Sequence, residues 1–506
     1  MAVRIKLDTL NEMQKKIIRE RLYFQPKKTN FAVNRFVSDE KDPILFYWID
    51  KPNNEIILPY TFANALLGRH INSSLTYPLS KFAFTGKLRD YQIPIAQEAM
   101  KQLMSTGTTL LHLGTGLGKS ALSAYLASQL DGMTLVLTNR ETIQKGWYET
   151  FLDNTNAGVW LVDSKMRIPE KCNVILTMDG KFEKIPWEIR KMISVFVIDE
   201  MHMFMTASQV PVLLGVCPKY VIACSATPTR PDNMERMWHA IGGTHRVEVK
   251  NTKKFTVYKF MTGIQTELEK NKMGTVDFSK LTASLANNPL RNAFIVDLIE
   301  KNKEHKIMLL SWSKSHIKLL YDVLSQRGVK VDYLSGTKST YVDSQVLLGT
   351  ISKVSTGFDS KNVAINFDGM AISMLILAGS TKSFNLHQQS IGRAFRSDNP
   401  TIIDIIDQDR ISLSHWNQRR KNYEEMNCEI FEVKMKKKEG ESHGQESQEQ
   451  ASHESDIAQM HQERLDKLNI TKESKNTINI SSQEKTDDRM KLQYERIKAY
   501  QDKQKV

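Results

Sequence analysis

The stretch Thr109-Leu-Leu-His-Leu-Gly-Thr-Gly-Leu-Gly-Lys-Ser120 decides how this chain is read. Its apolar half (Leu110, Leu111, Leu113) has the character of a strand. Gly114, Thr115, Gly116, Leu117 and Gly118 follow, then Lys119 and Ser120. After them apolar residues recur at helical spacing: Ala121, Leu122, Tyr125, Leu126 and Leu130. Strand, glycine loop and helix in that order make an anion cradle. Closely spaced glycines let backbone N–H groups curl around phosphate oxygens, and the helix N-terminus adds partial positive charge. Lys119 is expected to reach the β- and γ-phosphates of a nucleotide, and the Ser120 hydroxyl to hold Mg2+. The strict spacing of such loops places a glycine five residues before Gly118, and Leu113 stands there instead.

Downstream, short apolar runs alternate with helical patterns. Thr134–Leu137, Val159–Val162, Asn173–Thr177 and Ser194–Ile198 are continuous apolar runs, the signature of parallel strands buried on both faces. Asn139 is placed to cap a helix carrying Ile143, Trp147 and Phe151 on one face. The run Ser194-Val-Phe-Val-Ile-Asp199-Glu200-Met-His202 ends in two adjacent carboxylates. Ligands bind where strands of a parallel sheet end. Asp199 is expected to take part in holding Mg2+, and Glu200 to orient and deprotonate an attacking water. Tyr220-Val-Ile-Ala-Cys-Ser225-Ala-Thr227 is a further strand, whose Ser225 and Thr227 could bond back to Asp199 or His202. Upstream, Leu88-Arg-Asp-Tyr-Gln92 opens a helix. The Gln92 amide offers the donor and acceptor that match an adenine edge.

The pattern loosens over Pro228–Lys254, where the inter-domain linker is expected. A second alternating region begins near Ile307, with strands at Lys306–Ser311, Val329–Leu334 and Val346–Gly349 and a helix at Ile317–Leu324. It includes Thr356-Gly357-Phe-Asp359 and ends in Gln388-Gln389-Ser-Ile-Gly392-Arg393-Ala-Phe-Arg396. Two arginines three apart are expected on one helix face, where planar guanidinium forks suit phosphate oxygens. The fold class is therefore α/β, a doubly wound parallel sheet repeated.

Residues 1–84 carry no recognisable chemistry. Leu10–Arg21 has helical spacing, and Ile44–Ile49 and Glu55–Pro59 look like strands around Pro52-Asn-Asn54. An accessory module is expected. Its basic and aromatic residues (Arg21, Tyr23, Phe24, Lys27, Lys28) permit nucleic-acid contact, and a solvated surface is the alternative. The formal charge of +13 in 506 residues fits a polyanionic partner. Cys172, Cys217, Cys224 and Cys428 lie far apart without metal spacing, which predicts buried thiols in a reducing compartment. The opening residues lack a signal peptide's apolar core, and the longest apolar runs are too short to span a bilayer, so a soluble intracellular protein is expected. Beyond Lys434 the Gln/Glu/Ser-rich sequence reads as disordered, with a short charged helix at Leu492–Tyr500.

Gln92, Gly114–Ser120, Asn139-Arg140, Asp199-Glu200-Met-His202, Ser225-Ala-Thr227, Gly357-Phe-Asp359 and Gln389-x-x-Gly392-Arg393-x-x-Arg396 occur in one order. Together they resemble superfamily 2 helicases and translocases over roughly residues 85–430. Leu-Arg-Asp-Tyr-Gln and Asp-Glu-x-His look like the DNA-repair and restriction-type branch rather than the DEAD-box branch. The layout is similar to helicases of large cytoplasmic DNA viruses, including the poxvirus transcript-release helicase, and the leucine at 113 fits that group. The resemblance implies two RecA-like lobes with ATP and Mg2+ between them. It divides the chain into an accessory module (1–84), a first lobe (85–245), a linker and second lobe (246–435) and a tail (436–506). Lys119, Asp199, Glu200, Arg393 and Arg396 would be catalytic. Gln92, Gly114, Thr115, Gly116, Gly118, Ser120, Gly357, Asp359 and Gln389 would complete the nucleotide site. Arg140, His202, Ser225 and Thr227 would touch nucleic acid or couple to it. DNA is the favoured partner and RNA the alternative. A third reading is a scaffold that clamps nucleic acid within a transcription complex, recruited through the tail. No separate acidic and lysine constellation follows the second lobe, which argues against a restriction nuclease.

Overall fold

The computed structural model describes residues 2–27, 42–68 and 76–434, apart from short gaps at 115, 164–167, 229, 231, 250–252, 272–273, 275, 355–357, 359, 395–396, 398 and 427. The tail expected to be disordered, with its charged helix, lies outside the described residues. Two seven-stranded sheets, parallel throughout, form the body of two RecA-like lobes.

Across the first sheet the strands run Val247–Val249, Thr108–Leu113, Tyr220–Ser225, Ile193–Ile198, Met133–Thr138, Val174–Met178 and Val159–Leu161. Their continuous apolar character follows from burial on both faces. All six residues of Ile193–Ile198 are buried. Because side chains alternate across a strand, Val195 and Val197 enter one core while Phe196 and Ile198 enter the other. The first core is closed by the helices Gln92–Thr106, Lys119–Ser128 and Glu141–Asn154, through Ile95, Ala99, Leu103, Leu122, Leu126, Trp147 and Phe151.

The opposite core is shared with the N-terminal residues. Ile5, Phe46, Leu58 and Ala63 pack in the same cluster as Phe196, Ile198, Met237 and Ile241. Ala2–Lys6 pairs antiparallel with Glu55–Pro59, which pairs in turn with Trp48–Asp50. The N–H of Ala2 donates to Val216 O at 3.0 Å, Thr61 Oγ1 to Ile241 O at 2.7 Å, and the N–H of Lys27 to Asp232 O at 3.0 Å. The helix Tyr60–Leu67 packs on Arg236–Gly242. The strand expected over Ile44–Ile49 is two shorter strands, Ile44–Leu45 and Trp48–Asp50, broken where Phe46 turns into the core.

The second sheet runs Val331–Leu334, Val346–Thr350, Ile307–Ser311, Met374–Leu377, Thr401–Ile406, Thr256–Met261 and Glu429–Lys434. One of its faces packs on Pro289–Glu300 and Lys314–Gln326, the other on Phe358, Ile391, Trp416 and Tyr423. A buried ion pair crosses that second core. Arg419 donates to both carboxylate oxygens of Asp404, at 2.8 and 2.9 Å, and Tyr423 Oη donates to Asp404 Oδ2 at 3.1 Å.

Two features correct the sequence reading. The loosened region Pro228–Lys254 contains the helix Arg236–Gly242, whose Met237, Trp238 and Ile241 are buried. It also contains the strand Val247–Val249, which pairs with Thr108–Leu113. The first sheet therefore extends past residue 245. An apolar face of three residues is too short to register as a helical period in sequence. The helices Phe278–Ala286 and Pro289–Glu300 were likewise not read from the sequence.

Candidate nucleotide site

Four neighbouring strands of the first sheet deliver the predicted residues to one edge. Thr108–Leu113 leads into Gly114–Ser120, Tyr220–Ser225 into Ala226-Thr227, Ile193–Ile198 into Asp199–His202, and Met133–Thr138 into Asn139-Arg140. All four run in parallel, so all four loops leave from the carboxyl ends. At about 4.8 Å between strands, the row spans about 14 Å. A nucleotide and one contacted phosphate strand fit that scale.

The glycine loop is held from both sides. The N–H of Gly114 donates to Val249 O at 3.1 Å, and Lys119 Nζ donates to Leu113 O at 3.3 Å. Gly116 and Gly118 lie at φ +84 and +74, where side chains are strained. A Cβ on Gly118 would also stand 2.6 Å from Gln92 Nε2. Gln92 is buried, and its Nε2 donates to Leu117 O at 3.1 Å and to Gly118 O at 3.3 Å, while its Oε1 accepts from the N–H of Arg89 at 3.0 Å. Both hydrogens of the amide thus brace the loop. Leu113 is fully buried among Leu111, Leu122 and Ile222. What the loop takes from position 113 is the carbonyl, and the side chain belongs to the core. Ser120 follows Lys119 in the first turn of its helix. Thr115 lies outside the described residues.

The carboxylates stand two strands away. Asp199 is buried, and each of its oxygens accepts one hydrogen bond: Oδ2 from Trp147 Nε1 at 2.8 Å, Oδ1 from the N–H of Glu200 at 3.0 Å. Burial, then the adjacent Glu200 carboxylate, push Asp199 up to about 6. Two carboxylates so placed call for a cation. Glu200 occupies the left-handed region at φ +49, a conformation uncommon outside glycine, asparagine and aspartate and concentrated at functional sites. Its Oε2 has no hydrogen-bond partner among the described residues and lies 3.5 Å from His202 Nδ1. Burial, then the charges of Arg230 and Lys119, push His202 down to about 4, so its ring is neutral at pH 7. His202 Nδ1 and Ser225 Oγ are 3.0 Å apart, and Ser225 Oγ accepts from the N–H of Thr227 at 3.1 Å. Ser225 therefore meets His202, as its position predicts, while Thr227 joins through its backbone. Among the described residues no group of three His, Cys, Asp or Glu surrounds a common point. That suits a cation held by one carboxylate, one hydroxyl and a nucleotide's phosphates, as Mg2+ is, rather than by an all-protein cage.

Arg140 begins the helix Glu141–Asn154, and no side chain caps that helix, so Asn139 is not the cap. Arg140 instead holds the extended backbone of the cap position, and its Nη1 donates to Ser352 O at 3.4 Å. Ser352 follows the carboxyl end of Val346–Thr350, so the contact joins the two lobes. In the second lobe Gln389 is buried on the helix Phe384–Ile391. That helix stops at Gly392, one residue before Arg393, so the two arginines do not share its face. Arg393 Nη1 donates to Phe358 O at 2.7 Å, within its own lobe. Gly357, Asp359 and Arg396 lie outside the described residues.

Two participants were missed. Trp147 was read only as a core residue of its helix. Arg230, in the supposed linker, donates to the His202 carbonyl and binds Asp232 through two nitrogens, at 2.8 and 2.7 Å. Neither has a local signal, because each meets its partner only through tertiary structure. A separate small cleft at the carboxyl edge of the second sheet, between Phe278, Trp312 and Arg291, holds none of the predicted residues.

The family model "Type III restriction enzyme, res subunit" matches residues 85–230. The chain is similar to "Putative helicase 161L" of Invertebrate iridescent virus 6, 26% identical over 418 residues that cover 74% of this chain and 90% of that one. It is also similar to "Putative ATP-dependent RNA helicase L396" of Acanthamoeba polyphaga mimivirus, 25% identical over 436 residues and 81% of each chain. The S. cerevisiae Dbp5 structure bound to RNA and ADP BeF3 aligns at 14% identity and TM-score 0.48, over 73% of this chain and 93% of that one. No helix among the described residues is long and apolar enough to cross a membrane. With its seven motifs in order on two RecA-like lobes, the chain belongs to the superfamily 2 helicases, is an ATP hydrolase, and is similar to the helicases of large DNA viruses.

Proposed function

We propose that this helicase is a DNA translocase that uses ATP and Mg2+ at the edge where Gly114–Ser120, Asp199-Glu200 and Ser225–Thr227 converge. The observation that carries the reading is their placement on adjacent parallel strands, with Arg140 one strand further and reaching the second lobe. Lys119 would meet the nucleotide's phosphates, and Ser120 and Asp199 would hold Mg2+, which when bound supplies charge neutralisation at the phosphate oxygens. Glu200 would take the proton of the attacking water. His202, Ser225 and Thr227 would relay the state of the site, and Arg140 would contact a phosphate of the tracked strand. Gln389, Arg393 and Arg396, with Gly357 and Asp359, would complete the site from the second lobe when the lobes close. Residues 1–84 would act as an accessory module and 436–506 as a tether, with a role in transcript release or repair.

DNA is favoured because the restriction-type family model spans the segment that begins with Leu88-Arg-Asp-Tyr-Gln92. RNA is the second reading, and the name of the mimivirus relative favours it. ATP turnover measured with single-stranded DNA, duplex DNA and RNA separates the two. Stimulation by RNA alone would refute the DNA reading. Lys119→Ala and Glu200→Gln should each abolish stimulated turnover, and undiminished turnover in either would refute the assigned roles.

A further inference from the structure

Trp147 stands on the helix Glu141–Asn154 with 1% of its surface exposed. Its ring lies 6.1 Å from that of Phe151 in the core beside the glycine-loop helix. An indole N–H can only donate. The Trp147 N–H donates at 2.8 Å to Oδ2 of Asp199, and the N–H of Glu200 donates to the other oxygen at 3.0 Å. Two donors from two different elements therefore fix the rotation of one buried carboxylate.

A buried tryptophan in this fold does not have to find an acceptor. Trp160 and Trp238 are as deeply buried as Trp147, and their indole nitrogens have no hydrogen-bond partner among the described residues. The one indole N–H of the three that is satisfied meets a carboxylate of the site rather than a backbone carbonyl. Arg140, Gln144, Trp147 and Phe151 follow one another at spacings of four, three and four, which is one helix stripe. Gln144 Nε2 pins that stripe to Leu176 O at 2.9 Å. The indole is thus held in place independently of Asp199.

We propose that Trp147 is a positioning residue for divalent cation binding: its N–H turns the Asp199 carboxylate so that the remaining lone pairs face Mg2+. The inference rests on the reading of Asp199 as the residue that holds Mg2+. A partner that orients a metal-binding carboxylate is typically worth 10–100-fold in metal affinity. Packing alone would instead weaken nucleotide binding with and without metal alike.

The test uses the full chain carrying Trp147→Phe, and a second variant with benzothienylalanine at 147. The latter keeps the shape of the indole and replaces its N–H by sulfur. Binding of a fluorescent non-hydrolysable ATP analogue is measured in EDTA and across a Mg2+ titration, and Mn2+ binding is measured by electron paramagnetic resonance. The expected result is an unchanged affinity in EDTA and a half-saturating Mg2+ or Mn2+ concentration raised about tenfold or more. In an Asp199→Asn background the same change at 147 should add nothing. If Trp147→Phe does not fold, the benzothienyl variant carries the comparison. An unshifted metal titration, or an equal loss in EDTA and in Mg2+, would overturn the role of Trp147 while leaving the Asp199 reading intact. A wild-type chain whose nucleotide binding ignores Mg2+ would overturn both.

Discussion

Replacing Leu113 by glycine would restore the strict spacing of a phosphate-binding loop, and it should damage the protein rather than improve it. The Leu113 side chain is fully buried in the core between the first sheet and its helices. Its carbonyl accepts from Lys119 Nζ at 3.3 Å, and a glycine would keep that carbonyl. Removing a buried leucine side chain to alanine costs about 2–5 kcal/mol, and glycine within a strand costs about 0.5–1 kcal/mol more than alanine. Leu113→Gly should therefore lose about 3–5 kcal/mol. At roughly 2–4 °C per kcal/mol for a lobe of this size, the thermal midpoint should fall by on the order of 10 °C. Affinity for an ATP analogue, measured well below that midpoint, should change by less than about tenfold, which is 1.4 kcal/mol. Leu113→Met, which conserves volume, should cost under about 1.5 kcal/mol. Calorimetry and fluorescence binding measure the two quantities separately. An unchanged midpoint with markedly tighter nucleotide binding would refute the reasoning, because it would mean that the side chain at 113 limits the loop and not the core.

Two further outcomes follow from buried charge in the second lobe. Arg419→Leu would leave Asp404 buried with only Tyr423 beside it, and should destabilise the lobe by about 3–5 kcal/mol; urea denaturation checks it, and a loss under about 1 kcal/mol would contradict the pairing. His387 and His415 give a pH dependence of definite sign. Burial, then the Arg419 charge, push His415 down to about 4 and hold His387 well below the ordinary value of 6.5. The unfolded chain therefore binds more protons than the folded one between those values, so stability that is complete above pH 6.5 is lost as pH falls through the window toward 4. The slope of unfolding free energy against pH in that window should be shallower in His415→Gln, by up to one proton; an identical slope in both proteins would show that His415 is protonated when folded.

The parts of this fold that were legible in the sequence are those whose cause is local. Ile193–Ile198 is buried on both faces, so its apolar run names a central parallel strand before any partner is known. Gly116 and Gly118 stand at positive φ, so the glycines of the loop report a backbone requirement directly. Asp199-Glu200 and Ser225-Ala-Thr227 follow strand ends, and the topology sets those ends side by side. The illegible parts have causes distant in sequence. Asn139 was a plausible cap by residue type, yet the extended residue before Glu141 is Arg140, whose guanidinium meets Ser352 in the other lobe. The helix Arg236–Gly242 is held by Tyr60–Leu67, some 170 residues earlier, and its own period is too short to announce it.

The N-terminal residues show most clearly why a pattern without chemistry is still informative about a machine. Nothing in residues 1–84 marks a site, and a solvated appendage was a fair reading of their charge. The structure gives them instead one face of the first sheet: Ile5, Phe46 and Leu58 enter the core that also holds Phe196 and Ile198, the strand that carries Asp199. The backbone of Lys27 is bonded to Asp232, Asp232 to Arg230, and Arg230 to the carbonyl of His202. Phe24 lies under the guanidinium of Arg236 in the same segment. Each leucine-sized side chain buried there contributes about 1.5–3 kcal/mol, so the first sheet would be left with an open apolar face if these residues were removed. The loop that presents Glu200 and His202 is therefore built jointly by the helicase lobe and by the residues that precede it.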